Sequence, residues 1–211
     1  MIPQMLYWIR IAWQVLGYSN GLIFWNLFLA FIPLAVSIWL FRFSHSTSFL
    51  WWLGFLVFWA FLPNAPYVLT DVIHLIDLIQ YQFSVWIIVL VLIPQYVLFI
   101  LAGFEAYVIS VINLGFYLEK QGLNKYVLAT ELVTHLLCAI GIYLGRFDRF
   151  NSWDFVTKPH ALAKSLVENF TSKFPLLVIV ITFVILAVLY WLTKQVNLAI
   201  ALKIQSQGRN L

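Results

Sequence analysis

Five apolar runs, at 22–41, 48–62, 84–118, 125–146 and 174–193, limit what this chain can fold into. A helix needs about 20 mostly apolar residues to cross roughly 30 Å of hydrocarbon. Most of the runs meet that length, while the second is shorter and stops at Pro63. Inside a bilayer every backbone polar group must find its partner within the chain, which favours helices. Only 9% of the residues are charged and 64% are hydrophobic, too apolar a mixture to cover a water-facing surface. The chain therefore reads as an all-α integral membrane protein, one polytopic domain over 1–211. About five transmembrane helices are expected, with short interfacial or re-entrant helices between them.

The third run decides the count. Its 35 residues would make a helix of about 52 Å, too long for one straight span and cramped for two. One long helix is expected, kinked near Pro94 and projecting from the bilayer around Asn113–Lys120. Folding it into two spans, six in all, is the alternative. Residues 1–20 read as an interfacial segment, with a helix over 4–17 that carries Tyr7, Arg10 and Gln14 on one stripe and ends at Gly17. A second interfacial helix is expected at 159–170, with Pro159 in its first turn and Leu162, Leu166 and Phe170 on its apolar face. The N-terminus does not read as a cleavable signal. Residues 194–211 are left as a C-terminal tail.

With five spans, the polar segment 63–82 and the polar loop 147–173 fall on one membrane face, and Asn26 lies near it. Lys and Arg divide six to six between the two faces. Setting aside Arg146 and Arg149 as site residues leaves four against six, which places the C-terminus in the cytoplasm and the polar segments outside. The net charge of +4 is dispersed, with no dense basic block. That pattern suits membrane lipids and a membrane-protein partner, and argues against nucleic acid. Cys138 is the single cysteine, so neither an internal disulfide nor a thiolate cluster can form.

Chemistry concentrates in LPNAPYVLTDVIHLID at 62–77. Asn64 and Pro66 form a helix start. A helix from 65 to about 80 would place Tyr67, Thr70, Asp71, His74, Asp77 and Tyr81 on one stripe. Asp71 and His74, at i and i+3, could act as an acid/base pair or as two ligands of one metal ion. The plainer alternative is the wetted face of an interfacial helix. In GRFDRFNSWD at 145–154, Asn151 or Ser152 can cap a short helix with Asp154 in its first turn. Arg146 and Arg149 can clamp a phosphate or carboxylate, pair with Asp71 across the bundle, or snorkel to head groups. Deeper in, Glu131 and His135 lie at i and i+4, close enough to hydrogen-bond each other. Glu105 is flanked by Ala102 and Ala106. If that face meets the Gly141/Gly145 face, Glu105, Glu131 and His135 would form a carboxylate–histidine cluster with metal-binding or proton-carrying capacity.

LPNAPYVLTDVIHL, GIYLGRFDRFNSWD and WNLFLAFIPL at 25–34 resemble a bacterial membrane-protein family called domain of unknown function 1361, over roughly residues 22–193. The resemblance implies a multi-pass protein of the bacterial inner membrane and carries no established activity or cofactor. By motif position it draws attention to Asn64, Tyr67, Asp71, His74, Arg146, Arg149, Asn151, Ser152 and Asp154.

Three functions follow as expectations. The first is a binding or accessory protein that engages an anionic lipid or peptide group through Arg146 and Arg149, with Asp71 and His74 orienting it. The second is a membrane-embedded hydrolase or transferase using Asp71 and His74. The third is a proton-coupled transporter using Glu105, Glu131 and His135.

Overall fold

In a computed structural model of the chain, the described residues are 2–44, 47–80 and 83–208, with side chains described from Arg10 to Gln207. Tyr81, at the end of the expected stripe, and the side chain of Tyr7 fall outside them. Helix α1 runs Ile2–Ile38 and continues as a π turn, Trp39–Phe43. It is followed by α2, Phe49–Phe61, which begins at a Ser48 cap that accepts the Trp51 amide hydrogen. Next comes a broken rod made of α3, Asn64–Tyr67, a 3-10 turn, Val68–Asp71, and α4, Val72–Ile79. Then α5, Val85–Ile87, passes through a π turn, Ile88–Leu92, into α6, Ile93–Lys120. Helices α7, Val127–Arg146, α8, Asp154–Thr157, α9, Pro159–Thr171, and α10, Lys173–Gly208, complete the chain.

Five of these rods are long and apolar enough to cross a membrane: Arg10–Phe43, Phe49–Ile79, Val85–Lys120, Asn124–Arg146 and Lys173–Gln207. The chain is thus a multi-pass, all-helical membrane protein, and the third run stays a single rod. Its irregularity is a π turn ending just before Pro94. The extra residue per turn accommodates the missing proline N–H, and the rod continues.

Three expectations are corrected. The N-terminal helix does not end at Gly17, because α1 passes through it unbroken into the first span. A glycine inside a helix costs only about 1 kcal/mol, too little to stop a rod with apolar residues on both sides. The C-terminal tail from 194 is helical to Gly208, as an extension of α10. Asn64 does not cap a helix: it is the first residue of α3, and its side-chain amide donates to Phe61 O and Ser152 Oγ.

Two close approaches position the site. A Cβ on Gly141 would come within 2.7 Å of the Pro63 ring, and one on Gly103 within 2.7 Å of Val68. The break between α2 and α3 is therefore pressed against a glycine of α7 at Pro63, and the 3-10 turn against a glycine of α6 at Val68. The Gly141/Gly145 face does receive a close partner. It is Pro63 and Tyr67, and not the face that carries Glu105.

Candidate functional site

The two polar segments meet. Asp71 is 1% exposed, and both of its carboxylate oxygens are occupied. Oδ2 accepts from Asn26 Nδ2 at 2.6 Å, and Oδ1 accepts from Arg146 Nη2 at 3.2 Å. Arg146 also donates to Thr70 O at 2.5 Å, and its guanidinium lies 5.1 Å from the centre of the Tyr67 ring. One arginine thus ties the end of α7 to the 3-10 turn by a charge, a carbonyl and an aromatic face. A charge taken out of water persists only when it is paired and hydrogen-bonded, and this one is both.

Asp71 ends the 3-10 turn, and His74 and Asp77 follow it on α4. Each step of three residues falls about 60° short of a full α-helical turn, so the stripe drifts around the helix and splits. Asp71 is buried, His74 is half-buried and Asp77 is exposed. His74 Nε2 lies 3.9 Å from Asp71 Oδ1, an ion-pair distance and not a hydrogen bond.

Beside this network lies a partly open cavity of about 240 Å³, bounded by α1, α2, α3, α7 and the 149–162 segment. Its polar lining is Asn26, Asn64, Arg149, Asn151 and Ser152, while Trp25, Leu29, Leu144, Phe155 and Leu162 supply much of its apolar lining. Tyr67 belongs to both structures, lining the cavity on one side and meeting Arg146 on the other. Asp71, His74 and Arg146 are not part of the lining.

The cavity rim is built by the turn after α7. Phe150 N donates to Leu144 O, folding the chain back over the helix end, and Arg149 between them has φ +58°. An arginine in the left-handed region costs about 1–2 kcal/mol, so the surroundings must hold it there. Asp154 does much of that holding. Its Oδ2 accepts from Asn151 N at 2.8 Å, Oδ1 accepts from Thr157 Oγ1 at 3.0 Å, and Lys158 Nζ is 3.3 Å away. These donors, the Asn151 amide foremost, hold the Asp154 carboxyl below the ordinary aspartate range. The short helix after Asn151 was expected with Asn151 or Ser152 as its cap. Instead Asp154 reaches back to the Asn151 amide, and Ser152 is used by Asn64 at 2.7 Å. Asp148 accepts from Ser165 and Asn169 of α9, which pins that helix beside the rim.

Arg149 itself makes no hydrogen bond or ion pair to any described residue, although it lines the cavity. Arg149 is exposed at the cavity, and three other cations, of which Arg42 is also exposed, do have partners. Arg42 Nε donates to Asn113 Oδ1 at 2.7 Å and its guanidinium lies over Phe116, Arg146 has Asp71, and Lys194 has Glu131.

The deep cluster does not form. Glu131 accepts from Lys194 Nζ at 2.5 Å and from the Tyr190 hydroxyl at 2.7 Å, so it bonds across to α10 and not to His135. His135 Nδ1 shares a 2.5 Å hydrogen bond with the Tyr107 hydroxyl. Among the described residues no group of three or more His, Cys, Asp or Glu side chains is arranged to hold a metal ion, so Glu105 does not join Glu131 and His135. The physical reason lies in α10, whose tyrosine and lysine reach Glu131 first. Lys194 was not expected as a partner; the signal it carries is that it is the first charge after the last apolar run.

The apolar lining carries no sequence signal. Trp25, Leu29, Phe155 and Leu162 are indistinguishable from span or interface residues until the fold assembles them. Asn26 was marked by its position near the polar face. No curated protein and no solved structure matches the chain. The model of the family described as "Protein of unknown function (DUF1361)" matches residues 25–188, from within the first span through both polar segments and into α10, and the chain belongs to that family.

Proposed function

We propose that this protein is a binding or accessory factor of the membrane that captures an anionic group, a phosphate or carboxylate, in the cavity beside Arg149. The observation that carries this reading is Arg149 itself: an exposed arginine in the cavity lining, in a strained backbone conformation, with no hydrogen-bond or ion-pair partner among the described residues. A guanidinium presents a planar fork of donors matched to two oxygens of such a group. Asn64, Asn151 and Ser152 supply neutral polar atoms on the same wall. In this reading Arg146, which was expected to join the clamp, is committed to Asp71 and acts as frame. Tyr67 and Asn26 couple frame to cavity. With Arg146 and Arg149 set aside, four Lys and Arg against six favour an extracytoplasmic cavity.

The test is anion-dependent stabilisation of the purified full-length protein, followed by thermal melting with inorganic phosphate, acetate and anionic lipid in turn. A ligand at 100 times its Kd stabilises by about 2.7 kcal/mol. Stabilisation by at least one of these anions, lost in Arg149→Ala and kept in Arg10→Ala, is the expected result. Identical titrations for the native protein and Arg149→Ala would sink the proposal.

The hydrolase or transferase reading draws on the 3.9 Å approach of His74 to Asp71. It ranks second because both oxygens of Asp71 are already occupied and neither residue lines the cavity. Turnover of a phosphoester or peptide probe that is abolished by His74→Ala while binding persists would promote it.

A further inference from the structure

We infer that the occupant of the Arg149 cavity is the head group of a phospholipid-class anion that enters sideways from the bilayer with its acyl chains left outside. This rests on the reading of the cavity as an anion site and adds the class of ligand and its route.

Three observations carry it. First, the lining is of mixed polarity: Arg149, Asn151, Ser152 and Asn64 share it with the apolar wall residues Trp25, Leu29, Phe155 and Leu162. A free phosphate or a small carboxylate would leave that apolar wall without a partner, whereas an amphiphile uses both. Second, two of the apolar residues form the mouth. Trp25 is 54% exposed and Phe155 51% exposed even though both line the cavity, whereas Leu162 at 7% is interior. From the mouth the apolar surface continues outward. On α1, Trp25 adjoins Phe24 and Phe28, 70% and 60% exposed, within a membrane-spanning rod; past Phe155 stands Val156, 85% exposed. A chain leaving at Trp25 therefore passes onto a lipid-facing helix surface without crossing water. Third, the volume is selective. About 240 Å³ falls below the roughly 300–1,000 Å³ of pockets that enclose a whole small-molecule ligand. A phosphate with its glycerol can enter, and the acyl chains cannot follow.

The experiment is native mass spectrometry of the full-length protein in detergent, titrated with phosphatidylglycerol, phosphatidylcholine or glycerol 1-phosphate, with a melting curve for each variant to confirm folding. The expected result is one phosphatidylglycerol retained per chain, at least tenfold tighter than phosphatidylcholine and than glycerol 1-phosphate. Arg149→Ala should weaken it at least tenfold. Trp25→Ser combined with Phe155→Ser, both at exposed positions, should weaken it at least threefold, a larger loss than for glycerol 1-phosphate. Glycerol 1-phosphate binding as tightly as the lipid, with both lost in Arg149→Ala, would overturn the lipid assignment while leaving the anion site standing. Equal retention of the two lipids, unaffected by Arg149→Ala, would overturn both, as would no binding of any of the three probes.

Discussion

The bundle carries a buried carboxylate near each end of α7, and the two are treated differently. At one end Glu131 receives the Lys194 ammonium and the Tyr190 hydroxyl, both from α10, and closes the contact between two rods. At the other, Asp71 receives the Asn26 amide and the Arg146 guanidinium, each from a different rod, in a turn that is 3-10 and not α-helical. The chemistry is the same in kind: one anion, one cation and one neutral donor. What differs is the neighbourhood. The Asp71 network borders a cavity with a further cation on its wall, and that cation has no partner among the described residues. A satisfied ion pair is therefore poor evidence of a site by itself. The informative feature is the unanswered charge in the cavity that the pair borders.

The largest way to test that contrast is to remove each carboxylate. Asp71→Ala should destabilise the protein by about 3 kcal/mol, because Arg146 remains largely shielded with its charge unpaired. Glu131→Ala should cost closer to about 1–2 kcal/mol, because the flexible stem of Lys194 can carry its ammonium toward the head groups. Unfolding titrations in mixed micelles measure both. Equal costs would break the comparison, and Asp71→Leu with Arg146→Met recovering most of the loss would sharpen it.

A smaller effect follows from the glycines. Gly141→Ala places a methyl 2.7 Å from the stiff Pro63 ring, whereas the same change at Gly115 meets Val127 at 3.4 Å. Overpacking at Gly141 should cost about 1–3 kcal/mol and shrink the cavity, whose lining includes both Gly141 and Pro63. Gly115→Ala should be neutral or gain up to about 1 kcal/mol from helix propensity. Thermal melting separates the two, and a neutral Gly141→Ala would show that the α2–α3 break is not fixed by this contact.

How much of this was readable beforehand follows the range of each force. The five rods were legible because a bilayer imposes length and apolarity on every span, and both are local properties. The meeting of 62–77 with 145–154 was legible from the count of spans alone, since parity puts both on one face. What local patterns could not yield was the direction of single side chains. A stripe read along 67–81 sends Asp71, His74 and Asp77 the same way, yet each step of three residues falls about 60° short of a full α-helical turn, so Asp71 faces inward and Asp77 outward. Glu131 and His135 looked like partners at i and i+4 until a tyrosine and a lysine from a distant rod took Glu131. The cavity was invisible for a different reason. Apolar residues that line a pocket and apolar residues that face lipid are chosen for the same property.

The smallest expected effect concerns the rim, and it depends on pH. Asp154 lies outside the spans, and its carboxyl is held below the ordinary aspartate value of about 3.9 by the Asn151 amide, with Thr157 and Lys158 assisting. A carboxyl depressed in the folded state stabilises while it is ionised. Its contribution is complete above the ordinary value and is lost as pH falls through the lower folded value. Amide hydrogen exchange over 150–158, corrected for intrinsic rate, should therefore hold steady from pH 7 to about pH 5 and quicken in stronger acid. Asp154→Asn should exchange faster at neutral pH and lose that acid dependence. Anion capture should weaken in step with the rim, because Arg149 keeps its left-handed backbone only while the turn around it is held. Exchange at 150–158 that rises in acid equally in the native protein and in Asp154→Asn would assign the rim's order to Asp148 and α9 instead.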